Sequence, residues 1–262
     1  MDVYSKIKKS WVKRSLKYND RIEGILPKSF PTSVNKYLDD WMFDQISKKL
    51  NKNQQFSILD LGCGYGRLSK SILEKYPKSH VFGVDISKNY IELYNKKLNP
   101  RGKAKVGDIR NIPFKDESMD FVFVVTSLMY IVDKINQEKV FNEIFRVLKK
   151  NGKFMIIERH PFGYGYVTLG GLVSKIRGKK NKEINAVGYT KKIIKERIKK
   201  NAVIEQCSGI PVFTLLLPLF FLINPLSKNL LKIILKITKI LDSKFGFILT
   251  PSLYISYTGQ RI

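Results

Sequence analysis

Asp60, Gly62, Gly64 and Gly66 are the residues whose types and spacing point most directly to chemistry. They lie in Ile58-Leu59-Asp60-Leu61-Gly62-Cys63-Gly64-Tyr65-Gly66, where a short apolar run meets an acid and then turns through glycines. Glycine in such a loop lets backbone approach a ligand that a side chain would hold off. The spacing is G-x-G-x-G, which differs from the G-x-G-x-x-G fingerprint of dinucleotide sites. A carboxylate just ahead of the loop would repel a pyrophosphate and attract a cationic amino acid. The pattern therefore suits a ligand that carries an ammonium and a sulfonium.

Four further motifs follow in order. Val81-Phe82-Gly83-Val84-Asp85-Ile86-Ser87 ends an apolar run in an acid, and the two oxygens of Asp85 can accept a pair of hydroxyls. Val106-Gly107-Asp108-Ile109 leads into Ile112-Pro113-Phe114. Met119-Asp120-Phe121-Val122-Phe123-Val124-Val125 is a fourth apolar run, and Glu143 to Gly152 reads as a helix and turn before a fifth. Over residues 55–158, this ordered set resembles the class I S-adenosylmethionine-dependent methyltransferases, in particular the small-molecule group. The resemblance implies S-adenosylmethionine as cofactor. Asp60 would meet its amino group, directly or through water, and Gly62, Gly64 and Gly66 would form the loop beside its methionine portion. Asp85 would take the ribose hydroxyls, with Ile86 next to it. Asp108 would accept from the adenine amino group while Ile109 packs on the ring, and Val125 with Thr126 would touch the methionine portion. Taken singly, Asp85 and Asp108 are also readable as turn-forming aspartates.

On the acceptor side the signals are thinner. Many relatives carry a histidine pair shortly after the fourth strand, where this chain has Met129 and Tyr130. His160 lies just beyond the fifth strand, and ligands of such sheets meet the carboxyl ends of the strands. A histidine near neutrality can take a proton from an attacking hydroxyl; alternatively, His160 orders the loop before Pro161. Tyr130, Tyr164 and Tyr166 are further candidates, with Tyr130 and His160 the catalytic choices. Glu158 and His160 alone are too sparse for a metal site.

Apolar runs alternating with helical patterns predict a Rossmann-like α/β fold, a doubly wound and mostly parallel sheet with helices on both faces. Strands are expected over 56–61, 80–85, 104–107, 120–125, 153–158, 203–207 and 253–257. Helices are expected after Gly66, after a Ser87 cap, over 137–149, and from a Thr190 cap to Lys200. Ahead of them, residues 1–54 form an N-terminal helical arm. Its first helix carries Val3, Ile7, Trp11, Val12 and Leu16 at helical spacing, and Thr32 or Ser33 would cap a second helix through Leu50. By resemblance the arm covers the cofactor pocket, making Tyr18 and Arg21 candidates to close over it, or else simply packing residues. The methyltransferase domain, 55–262, would carry a lid loop at 160–189 and an insertion at 210–250.

The insertion opens with an apolar run, Ile210 to Ile223, too short to span a bilayer and interrupted by Pro218. Leu230 to Leu241 then sets Lys232, Lys236 and Lys239 on one helical face among leucines and isoleucines. That is the composition of a helix lying in a membrane interface; a lid or dimerisation helix is the other reading.

The chain has 262 residues and a formal net charge of +26, from 48 Lys and Arg against 22 Asp and Glu. This favours anionic partners, although a lysine-, asparagine- and isoleucine-rich composition also arises from genomic base bias. Cys63 and Cys207 are too few for a disulfide framework, and the charged N-terminus has no signal-peptide core. The expectation is a cytoplasmic methyltransferase, peripheral on the inner membrane face, acting on oxygen of a small or lipid-linked acceptor. RNA or protein methylation, or a noncatalytic cofactor-binding partner, are the alternatives. The motifs leave the oligomeric state open.

Overall fold

The computed structural model describes residues 3–162, 186–198 and 200–262. Its centre is a seven-stranded sheet in the order β3-β2-β1-β4-β5-β7-β6. The strands are β1 (Ser57–Leu61), β2 (His80–Asp85), β3 (Gly102–Val106), β4 (Met119–Val125), β5 (Leu148–Arg159), β6 (Ala202–Gly209) and β7 (Tyr254–Arg261). β1 to β5 run parallel, and β7 lies antiparallel between β5 and β6. The chain order reverses between β1 and β4, which creates a crevice at their carboxyl ends.

Side chains alternate across each strand, and the two faces bury different helices. Ile58, Phe121, Phe123 and Val125 face one core. Leu59, Leu61, Val122 and Val124 face the other. On the first face lie α2 (Thr32–Ser47) and α3 (Arg67–Lys75); on the second, α5 (Lys134–Val147) and α6 (Lys191–Ile198). α1 (Val3–Tyr18) crosses near the carboxyl edge and meets α4 (Lys88–Leu98). The expected Ser87 and Thr190 caps are present, accepting from Tyr90 N at 3.4 Å and Ile193 N at 3.2 Å. α2 differs from expectation. It starts after Pro31 with no side-chain cap and ends at Ser47, as its stability comes from burying Val34, Leu38, Trp41, Met42 and Ile46.

The insertion folds as a helical pair, α7 (Pro211–Ile223) and α8 (Lys228–Phe245). α7 runs unbroken through Pro218, contrary to the interruption its sequence suggests. Proline in a helix costs about 3 kcal/mol, and each fully buried large apolar side chain returns about 1.5–3 kcal/mol. Phe213, Leu217 and Phe220 are all buried, with Phe213 stacked on Tyr37 at 4.6 Å between centroids. The start of α7 is held from a distance by Asp242 of α8. Its Oδ1 accepts from Val212 N at 2.8 Å, and its Oδ2 from Phe213 N at 3.1 Å and Tyr37 Oη at 2.6 Å. Most of the expected lid, with Tyr164 and Tyr166, lies outside the described residues.

Candidate active site

A cavity opens at the carboxyl ends of β1, β2 and β4. Gly62, Gly64, Asp85, Ile86, Asp108, Ile109, Val125 and Tyr130 all line it, as the sequence leads one to expect. Gly62 and Gly64 have φ of +72° and +52°, a region glycine enters freely. A Cβ on Gly62 would collide with Ser127 Oγ. The loop is therefore a cradle that only glycine leaves open.

Asp85 is fixed by two backbone donors. Gly64 N–H donates to its Oδ2 at 3.0 Å and Ser87 N–H to its Oδ1 at 2.8 Å. Each oxygen keeps further acceptor capacity, so the carboxylate can still receive two hydroxyls from the cavity. Burial pushes its pKa up to about 6 against the pull of these hydrogen bonds. Ile86 and Ile109 supply apolar walls, and Tyr4, Trp11 and Tyr130 supply aromatic surface of the kind that attracts a cation.

Other expected residues sit elsewhere. Asp60 does not line the cavity. Strand alternation places it with Ile58 on the α3 face, where its Oδ2 accepts from Ser69 Oγ at 2.7 Å. Burial raises its pKa to about 7. Gly66 also lies back from the cavity. It ends the loop at φ +83°, packed so that a Cβ would press on Tyr94 at 2.6 Å. Asp108 faces the cavity, but its oxygens are taken. Arg110 donates from Nε at 2.9 Å and Nη2 at 2.6 Å to Oδ2, and from its backbone N at 2.9 Å to Oδ1. Tyr4 hydrogen-bonds the same carboxylate and stacks under the Arg110 guanidinium at 3.8 Å. Burial opposes ionisation of Asp108, but these donors outweigh it and lower its pKa. In this arrangement Asp108 links Arg110 to Tyr4 of the N-terminal arm at the edge of the cavity.

That arm contributes more than Tyr18 and Arg21 suggested. Tyr4, Ile7 and Trp11, at i, i+3 and i+7, line the cavity with Ile25. Arg21 instead lies over the Tyr18 ring at 5.3 Å, outside the cavity. Ser87 Oγ donates to Ser15 Oγ at 2.8 Å, tying α1 to the cap beside Asp85. The apolar pattern of α1 held this signal in Ile7 and Trp11; Val3 and Leu16, which share the pattern, are exposed.

On the acceptor side, Tyr130 lines the cavity with its ring edge-on to Trp11 at 5.3 Å. Burial pushes its pKa up to about 12, so at neutral pH its hydroxyl is a hydrogen-bond donor and no base. His160 is not among the lining residues. Its Nδ1 accepts from Phe162 N at 3.4 Å, which fits the loop-ordering role, and burial lowers its pKa. Two features carry no local signal of their structural role, although Glu158 and Thr126 both enter the sequence reading. Glu158, fully buried, accepts from Ser127 N at 2.8 Å and Leu128 N at 2.7 Å and fixes the turn after β4. Next to it, Thr126 holds φ +52°, a costly conformation for a β-branched residue that clusters at functional sites.

Comparison with known proteins bears on the domain and the fold. A family profile described as a methyltransferase domain matches residues 58–152. The sterol 4-C-methyltransferase strm-1 of Caenorhabditis elegans is 35% identical over 118 residues, 43% of this chain and 34% of that protein. A demethylmenaquinone methyltransferase of Thermotoga maritima is 34% identical over 104 residues, 40% of this chain and 44% of that protein. The chain thus spans less than half the length of these two relatives. In fold, it matches a geranyl diphosphate C-methyltransferase from Streptomyces coelicolor A3(2), solved with S-adenosyl-L-homocysteine. The TM-score is 0.63 over 100% of this chain and 99% of that one, at 18% identity. With its motifs in register, its strand order and its matched domain, the chain carries a class I S-adenosylmethionine-dependent methyltransferase domain.

Proposed function

We propose that the protein transfers a methyl group from S-adenosylmethionine to oxygen of a small or lipid-linked amphipathic acceptor, while docked on an anionic membrane surface at the inner face. When bound, S-adenosylmethionine would supply an electrophilic methyl that the acceptor attacks in line, the C–S bond breaking to release S-adenosylhomocysteine as the leaving group. The chain's own residues position and shield. Asp85 accepts the ribose hydroxyls, Gly62 and Gly64 admit the methionine portion, and Tyr4, Ile7 and Trp11 exclude water from above. Tyr130 orients the acceptor by donating a hydrogen bond. Where a proton must leave the acceptor hydroxyl, His160 would take it through Nε2 from outside the cavity wall, its Nδ1 being engaged with Phe162 N.

One observation supports the membrane setting above others. α8 turns Leu231 and Leu235 inward but leaves Ile233, Ile237 and Ile240 more than half exposed, with Lys232 and Lys236 beside them. Leu215, Leu219 and Leu222 of α7 are exposed too. Apolar surface on this scale, rimmed by lysines, marks an interaction site. Lys239 departs from the stripe and pairs with Asp44 of α2 at 2.7 Å. No helix among the described residues is long and apolar enough to cross a membrane.

The deciding experiment incubates the protein with methyl-labelled S-adenosylmethionine and separate lipid, RNA and soluble-metabolite fractions of its host. Label is expected in solvent-extractable lipid, on oxygen. Label in RNA or only in water-soluble metabolites would refute the membrane acceptor, and label on carbon would refute the oxygen assignment.

A further inference from the structure

Beside the cofactor cavity lies a second one of opposite character. One face of α1 gives it Lys13, Arg14 and Lys17, the following loop gives Lys28, and the end of β5 gives Arg159. No aspartate or glutamate lines it among the described residues. It shares Ile25, Thr126 and Tyr130 with the cofactor cavity, so the two meet where the acceptor must react.

The cations are held in place. Arg14 Nη2 donates to Glu23 O at 2.9 Å and Leu26 O at 2.7 Å, and its guanidinium lies over the Trp11 ring at 5.0 Å. Lys28 and Lys17 approach the Tyr18 ring at 4.9 and 5.6 Å. Arg159 is buried at the floor. Like charges gathered on partly desolvated walls repel one another. Burial first, then the Arg14 charge, lower the pKa of Lys28 accordingly. An anion entering would relieve this repulsion, and Arg and Lys together suit the oxygens of phosphate esters.

We propose that this basic pocket binds a phosphate or diphosphate group of the methyl acceptor and so sets the acceptor's reacting atom against Thr126 and Tyr130. The inference rests on the methyltransferase reading above and adds the acceptor's chemical class. The pocket acts as a specificity site, with the acceptor's apolar portion extending away from it.

Calorimetry at physiological salt tests this, with S-adenosyl-L-homocysteine bound and an alkyl diphosphate, the parent alcohol and inorganic pyrophosphate as probes. The ester is expected to bind at least tenfold tighter than the alcohol and tighter than pyrophosphate. The K13Q/K28Q variant, changed at two exposed lysines, should weaken ester binding about tenfold or more, as expected for lost charge-assisted contacts. Its affinity for S-adenosyl-L-homocysteine should stay unchanged. Equal binding of ester and alcohol, or an ester affinity indifferent to the lysines, would overturn the pocket assignment. Pyrophosphate binding as tightly as the ester would make a free anion the ligand. If K13Q/K28Q instead lost only binding to phosphatidylglycerol vesicles, a membrane headgroup would be the occupant, and the acceptor assignment would fall. Failure of the parent protein to bind S-adenosyl-L-homocysteine would refute the methyltransferase reading itself, separately from the anion measurements.

Discussion

In the proposed function Asp85 is the carboxylate that receives the ribose hydroxyls, and its burial works against its own charge. Replacing it with alanine removes two acceptor oxygens facing the cavity. At about 1.5–3 kcal/mol for a hydrogen bond to a charged group, Asp85→Ala should weaken S-adenosyl-L-homocysteine binding roughly 100-fold or more; unchanged affinity in calorimetry would remove Asp85 from the site. The pH dependence has a definite sign. With its pKa raised to about 6, Asp85 is protonated at lower pH and becomes a poorer acceptor. Cofactor affinity should therefore fall as pH drops through about 6. The ligand-free protein runs the other way: a raised carboxyl pKa contributes stability at low pH that is lost as pH rises through about 6. His160 supplies a second test at this scale. If it takes the acceptor proton, His160→Ala should lower kcat by at least 100-fold and spare cofactor affinity, whereas a kcat unchanged by the substitution would leave it ordering the turn before Pro161.

At the scale of elements, Asp242 joins the insertion to the body of the fold. It caps the start of α7 and receives the Tyr37 hydroxyl of α2, so one side chain locks three helices. Asp242→Ala leaves those donors buried without an acceptor, each costing about 1–3 kcal/mol. With three donors, a stability loss of roughly 3 kcal/mol or more is expected in urea unfolding, with Asp242→Asn losing less. A loss below 0.5 kcal/mol would show that the helices are held by apolar contacts alone. The same logic explains why Pro218 is tolerated: a helix fixed at its start and buried along Phe213, Leu217 and Phe220 does not depend on each internal hydrogen bond.

For the molecule as a whole, the proposed docking face and the reaction crevice are separate surfaces and should respond separately to mutation. Ile233→Ser with Ile237→Ser changes only exposed positions, which ordinarily shifts stability by about 0.5 kcal/mol or less. The variant should lose sedimentation with phosphatidylglycerol vesicles at least tenfold while keeping its Tm and its affinity for S-adenosyl-L-homocysteine. Vesicle binding that persists in the variant, or is absent from the parent protein, would remove the membrane role of α8. Binding through lysines should also weaken with salt, because exposed charges are screened within about 10 Å at 0.1 M.

The sequence by itself determined the strand order of chemistry. Glycines after β1, an acid at the end of β2 and apolar runs of period 2 are local facts, and parallel strands deliver their carboxyl ends to one edge whatever the loops do. Gly62, Gly64, Asp85, Ile86, Ile109 and Val125 were legible for that reason. Tertiary structure alone decided the rest. The pleat of β1 sent Asp60 beneath the loop to Ser69, and Arg110 with Tyr4 claimed the oxygens of Asp108. The arm's path over the crevice chose Tyr4, Ile7 and Trp11 in place of Tyr18 and Arg21. Lys13 and Arg14 of α1, Lys28 of the loop after it and Arg159 at the distant end of β5 gathered into one pocket. Each of these outcomes depends on which groups meet across the fold, a relation that spacing along the chain does not encode.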